Sequence, residues 1–189
     1  MNRFRIEETP EDCARSHCDK HSNKMIVEEA QMLSTAHRLL DGTVEMRPSK
    51  SGKRIVKYHK LPDLRELTLY RPVHAGHPCT KWAMETSANY MWAFDLFRAL
   101  CKEYTYRYGK VHMSETKLIH ALSQLPHNIP KGPLTDMPLA MGSNPECINP
   151  DDVIGSYRHY YATKKERFSM VWTNRDEPTW WSEYAKMVR

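Results

Sequence analysis

The stretch Cys18 to Arg38, CDKHSNKMIVEEAQMLSTAHR, does most to restrict what this chain can fold into. Its apolar residues recur every three or four positions, the spacing of an amphipathic helix. Wound at roughly 100° per residue, Met25, Ile26, Ala30, Met32, Leu33, Ala36, Leu39 and Leu40 fill one half of the surface. Lys24, Glu28, Gln31, Thr35 and Arg38 fill the arc beside it. Glu29 breaks the pattern, because it falls inside the apolar half. A carboxylate there is costly unless it is paired. Either an Arg or His from another helix satisfies it, or the arc opens on a cleft. The expectation is that Glu29 is buried and paired.

His21 and Glu28 stand seven residues apart, two turns along one side, at the border between core and solvent. Half-desolvation at such a border can tune a carboxylate toward proton transfer. The competing reading is that both merely decorate a helix.

The remaining chain arranges itself around this helix. Thr9, Pro10, Glu11 and Asp12 mark the start of a short first helix, and Asp19 reads as the cap of the long one, which Gly42 stops. Two semi-extended runs flank Ser51-Gly52, predicting a β-hairpin arm at 44–60. A Pro-led turn follows at Cys79–Glu85, then a long periodic helix at Ser87–Tyr108 and a shorter one at Ser114–Ser123. Pro126–Pro150 reads as an ordered loop or lid. A helix after Pro150 and a short aromatic one at the end complete the chain. The expected fold is mainly α, a single globular helical domain over 1–189 with a small inserted hairpin. A length of 189 residues, 40% hydrophobic, can bury such a core without staples.

Five cysteines without a CxxC pair predict reduced thiols. No apolar run approaches the ~20 residues of a membrane span, and MNRFRIEETPEDC is no signal peptide, so the expectation is a cytoplasmic protein with no membrane partner. Net charge is only +5, but Arg47, Lys50, Lys53, Arg54, Lys57, His59 and Lys60 crowd the arm. Such a patch suits DNA or a nucleotide, or is simply a solvated loop.

In the long helix, Tyr90, Phe94, Phe97, Cys101, Tyr104 and Tyr108 form a core stripe, with Asn89, Glu103 and Arg107 at its edge. Glu103 and Arg107 suit a helix-stabilising pair, and Arg107 is also a candidate substrate contact, as is Lys110 just beyond. Asn89, flanked by Tyr90 and Trp92, can read a base edge or hold a carboxylate. In YRPVHAGHPCTKW, His74, His77 and Cys79 raise a zinc alternative, but their spacing matches no tetrahedral pattern, so no metal or other cofactor is expected. A turn contacting an anion or substrate through His74 and His77 is the other reading. Tyr157, Tyr160, Tyr161, Lys164, Lys165 and Arg167 interleave aromatics and bases, as in surfaces that stack bases and track a backbone.

The motifs DKH…KM..E.AQMLSTAHR, HPC..W...S.NY.W, EYTYRYGKVH and Y..YY..K with P.WW resemble a widespread, largely uncharacterised group of tailed-phage proteins. That resemblance covers most of the chain and implies action in the host bacterial cytoplasm. MNRF with DKHSNKMIVE also resembles the pyrimidine-dimer DNA glycosylase, endonuclease V, of T-even phages. This second resemblance implies an all-α, base-flipping enzyme in which Arg3 binds substrate, His21 lies in the active site and Glu28 is catalytic. EPTWW loosely matches the family's tail. The family's nucleophile is the α-amine of a threonine at position 2. Here Asn2 stands there, and its bulk is expected to keep Met1 in place, so the lyase step is not expected.

The leading expectation is therefore an enzyme that breaks a bond in DNA or a nucleotide, at its narrowest a pyrimidine-damage glycosylase. Glu28 and His21 would be catalytic. Arg3, Lys24, Gln31, Thr35, His74, His77, Asn89, Arg107 and Lys110 would contact substrate, and Arg54, Lys57, Tyr160, Lys164 and Lys165 would hold nucleic acid. Two alternatives stand beside it: a counter-defence hydrolase or nuclease degrading a cyclic or other small nucleotide immune signal, and a non-catalytic protein that binds or sequesters a nucleotide. Oligomeric state is left open, a homodimer included.

Overall fold

A computed structural model describes residues 2–49 and 51–188. Met1, on whose retention the lyase expectation turns, and Lys50 of the basic run lie outside the described residues. The order of elements is α1 (Pro10–Ser16), α2 (Asp19–Asp41), β1 (Thr43–Pro48), β2 (Ile55–Lys60), α3 (Arg65–Thr68), α4 (Pro78–Glu85), α5 (Ser87–Tyr108), α6 (Met113–Leu122), α7 (Val153–Ala162) and α8 (Trp181–Met187). The fold is mainly α with one two-stranded antiparallel hairpin. No helix among the described residues is long and apolar enough to cross a membrane. Between 126 and 150 the chain forms no α-helix, only a 3-10 turn at Pro145–Cys147.

Helices α2 and α5 pack together at the centre, flanked by α1 and α4. The apolar half of α2 lies in a cluster with Tyr90, Phe94, Phe97 and Cys101 of α5. Tyr104 and Tyr108 leave that stripe and are only half-buried. Thr9 caps α1 through its hydroxyl, which accepts the Asp12 N–H. Asp19 does not cap α2, however; Cys18 holds that position without a side-chain bond. The Asp19 carboxylate faces outward along the chain instead. It accepts from Arg107 (2.9 Å) and from the Thr173 hydroxyl (2.6 Å), tying the start of α2 to the end of α5. Trp172 and Trp180 anchor the last segment by donating their indole N–H to the Ser16 carbonyl and the Glu7 carboxylate.

Glu29 is fully buried and paired. Its partner comes not from a helix but from the extended N-terminal segment: Arg3 donates from Nε and Nη2 at 2.9 and 2.6 Å. A further Arg3 N–H reaches the Cys79 carbonyl of α4, and the guanidinium lies 5.2 Å from the Trp82 ring centre. Arg3 therefore cannot contact substrate, which corrects the role implied for it by resemblance.

Arg38, placed by the helical projection on the polar arc, is 1% exposed. Its guanidinium donates to the carbonyls of His59, Glu66, Leu69 and Tyr70 and to the Glu66 carboxylate. Burial opposes ionisation of Glu66, but donors from Tyr58, Leu61 and Arg38 outweigh it and hold that carboxyl down at about 2. This node roots the hairpin. Gly42 is required beside it, since a Cβ there would lie 2.5 Å from the Arg38 carbonyl oxygen.

Removing one partner of a buried ion pair strands the other charge, at a cost of about 3–5 kcal/mol. Arg3→Met or Glu29→Gln alone is expected to lower the unfolding free energy measured in urea by that amount. The double variant Arg3→Met/Glu29→Met should recover part of the loss. A single variant as stable as the parent would show that the pair does not hold the N-terminal segment.

Candidate functional site

Pairing Arg3 with Glu29 puts the neighbouring residues in contact as well. The Asn2 backbone N–H donates to Glu28 Oε2 at 2.9 Å. The Asn2 side chain donates to the Ala140 carbonyl of the 126–150 loop and accepts from the Arg3 N–H and the Cys79 thiol. Glu28 is 8% exposed, and its other oxygen lies 3.2 Å from the Nζ of exposed Lys24.

Two turns before Glu28, His21 sits in an aromatic box. Its ring centre is 5.0 Å from Phe4, 4.9 Å from Tyr161 and 5.1 Å from Phe168. Nδ1 of His21 and Nε2 of the adjacent His17 are buried without hydrogen-bond partners among the described residues. Burial drives the His21 pKa down to about 2, and the charges of His17, Lys24 and Lys164 push the same way. His21 is therefore a neutral imidazole, suited to stacking or accepting a hydrogen bond rather than to holding a proton.

Lys164 closes the other side. It is 8% exposed, its Nζ lies 3.6 Å from the Tyr160 ring centre, and it donates to the Thr163 hydroxyl. Tyr160 in turn stacks on Phe4 at 5.8 Å.

The buried charged side chains sort into two groups. Arg3 with Glu29, Arg38 with Glu66, and Arg107 with Glu103 neutralise one another at 2.6–2.7 Å. Glu28 and Lys164 have no such buried counter-ion. Among the described residues, Glu28 pairs only with the exposed Lys24, and Lys164 forms no ion pair. Both are left to act on something else, with neutral His21 between Lys24 and Lys164.

Several expected contacts are structural instead. Asn89 is fully buried; it donates to the Trp82 carbonyl and Thr135 hydroxyl and accepts the Thr135 N–H. Thr35 bridges the Gln31 and Val73 backbones. Arg107 is bound by Glu103, Asp19 and the Arg15 carbonyl. Lys165 caps α8 by donating to the carbonyls of Ala185 and Val188. These four are engaged in holding the fold together. His77 caps α4, its Nδ1 accepting the Cys79 N–H; burial lowers its pKa, while the charge of Glu28 works the other way. His74 is exposed, Gln31 half-buried, and Lys110 lines a separate concavity with Asp19, Asn23 and Tyr104. Arg54 and Lys57 are exposed on the hairpin. No group of three His, Cys, Asp or Glu among the described residues is placed to hold a metal ion.

Phe4, Asn2, Phe168 and the burial of Lys164 were not readable as site features from sequence. Only the MNRF and Y..YY..K motifs hinted at them.

His17 and His37 are held near 4 chiefly by burial, and His21 lower still. Because each folded value lies below the ordinary histidine value, unfolding takes up protons. The stability they contribute is fully present above about pH 6.5 and is lost as pH falls toward 4, each adding a slope of ~1.4 kcal/mol per unit. Thermal melts should be flat from pH 8 to 7 and drop steeply from 6 to 4.5. A Tm independent of pH through that window would mean that these imidazoles are not buried neutral.

No protein-family model, no curated protein and no solved structure matches this chain, so the resemblance to phage proteins rests on the residues themselves.

Proposed function

We propose that this protein cleaves a bond in DNA, with Glu28 as the acid/base group, and at its narrowest hydrolyses the N-glycosidic bond of a damaged pyrimidine. The observation that supports this reading is the sorting of buried charges: Glu28 and Lys164 are the two without a buried counter-ion among the described residues. A carboxylate so placed can take a proton from water as it attacks C1′, stabilise the positive charge that builds on the sugar, and return the proton to the leaving base. The C1′–N bond breaks and a C1′–O bond forms. Lys164 supplies phosphate charge, and the half-buried Tyr160 and Phe168 supply aromatic surface against which an extruded base can pack. Glu28 lies thirteen residues before the end of α2, about 20 Å from the root of the hairpin, a span that suits a polymer better than a mononucleotide.

A second reading, hydrolysis of a small nucleotide signal, is favoured by one feature. The 126–150 loop reaches Asn2 through Ala140, so it passes close to Glu28.

The test is base release from ultraviolet-irradiated duplex DNA, followed by chromatography. Glu28→Gln should lower the rate by at least ~100-fold while leaving duplex affinity within about twofold. Parent protein that releases no base and binds DNA without salt sensitivity would sink the DNA reading. Turnover of a nucleotide panel, cyclic dinucleotides included, would then support the second. If Glu28→Gln merely weakens binding and no substrate turns over, the protein is a nucleotide-sequestering one.

A further inference from the structure

The β1–β2 ribbon has two unlike faces. In its register Val44 pairs with His59, Met46 with Lys57 and Pro48 with Ile55, so these six side chains share one face. That face is apolar and open: Val44, Met46 and Ile55 are 52%, 64% and 59% exposed. The opposite face is half-buried at its centre, at Glu45, Arg47, Val56 and Tyr58. There Tyr58 donates to Glu66, and the Arg47 guanidinium lies 4.0 Å from the Tyr58 ring centre. Charge divides the same way. Arg47 and Lys60 are matched by Glu45, whereas Lys53, Arg54 and Lys57 form no ion pair with any described residue. The turn is thus cationic, and the outward face carries four apolar side chains beside the exposed Lys57, with the half-buried His59 at its root.

We infer that this outward face seats in the major groove of duplex DNA, with thymine methyl groups as its ligands and Lys53, Arg54 and Lys57 on the phosphates. The inference rests on the DNA-cleaving reading and narrows it. Two strands about 4.8 Å apart, with their side chains, make a ribbon roughly 10 Å wide, which fits a major groove of ~12 Å and not a minor groove of ~6 Å. Val44, Met46, Pro48 and Ile55 offer no hydrogen bond to a base edge. With Lys57 on a phosphate and His59 half-buried at the root, the base feature these four can recognise is the C5-methyl of thymine. A second copy of the chain is the poorer occupant. Six-residue strands give a face of about 20 by 10 Å, well under the ~800 Å² per partner of a stable protein interface. Two such cationic turns would also repel. The ribbon is held for docking at its root, where all the Arg38 donors are engaged and Gly42 leaves no room for a side chain.

The experiment measures anisotropy of labelled duplexes of one sequence, carrying either thymine or deoxyuridine, which lacks only the methyl. The parent should bind the thymine duplex at least about fourfold more tightly, the worth of one buried methyl. Val44→Ser/Met46→Ser/Ile55→Ser should bind both duplexes equally while keeping the parent's salt dependence. Lys53→Ala/Arg54→Ala should weaken both alike and reduce the salt slope by about 2. Circular dichroism checks that the variants, all at exposed positions, remain folded. Equal parent affinity for the two duplexes, or a triple variant that keeps the preference, overturns the inference while leaving the DNA reading standing. A parent that binds neither duplex overturns both. A triple variant that changes only the association state in light scattering makes a second copy the occupant and also overturns it.

Discussion

The Arg3–Glu29 pair organises this molecule. Both partners are fully buried, so neither charge would be tolerated alone, and their mutual demand draws the N-terminal segment across α2. The consequences follow residue by residue. With Arg3 on Glu29, Asn2 lands on Glu28 and Phe4 lands on His21. The segment so placed then forms the floor on which Tyr157, Tyr160 and Tyr161 of α7 pack. A residue that looked like a misfit in an amphipathic helix is the reason the neighbouring positions acquire surroundings at all.

The two adjacent glutamates also show how similar groups receive different uses. Glu29 points into the core and is fully neutralised by a guanidinium. Glu28, rotated one position around the helix, keeps one oxygen for a backbone N–H and one for a lysine whose side chain is 61% exposed. An exposed lysine can move aside at little cost, because such pairs are weakly bound. The helix thus carries a fixed charge and an available one side by side, and Lys164 provides a second available charge from α7's far end.

Much of the architecture was legible because periodicity and capping are local. The α2 and α5 stripes, Thr9 at α1, Gly42 after α2 and the turn at Ser51-Gly52 all follow from short-range rules, and the structure agrees with them. The need of Glu29 for a partner was equally legible, since a carboxylate among Met, Ile and Leu has few alternatives. The identity of that partner was not, because nothing local links Arg3 to a residue 26 positions away. Asn89, Thr35 and Lys165 have chemistry that suits a ligand, but groups from Thr135, Val73 and Ala185 use it. For Arg107 the pair with Glu103, legible from the i,i+4 spacing, is the one that forms. Arg38 misled through its helical angle: it sits on the polar arc, and that arc is covered by the hairpin root and the 66–70 segment.

The N-terminal segment has a further consequence, for the order in which the chain can assemble. Ile6 and Glu7 are bound by Arg158, and Glu7 also by Trp180, contacts that close loops of 151 to 173 residues. Closing such loops costs entropy before any burial repays it, and high contact order slows folding. During synthesis residues 2–7 leave the ribosome well before the aromatic wall against which they pack. Until α7 and the closing tryptophans emerge, Phe4, His17 and His21 have only one another for aromatic cover. The early helices must wait as an exposed apolar pair, which makes the nascent chain, rather than the finished protein, the form most open to aggregation or chaperone capture.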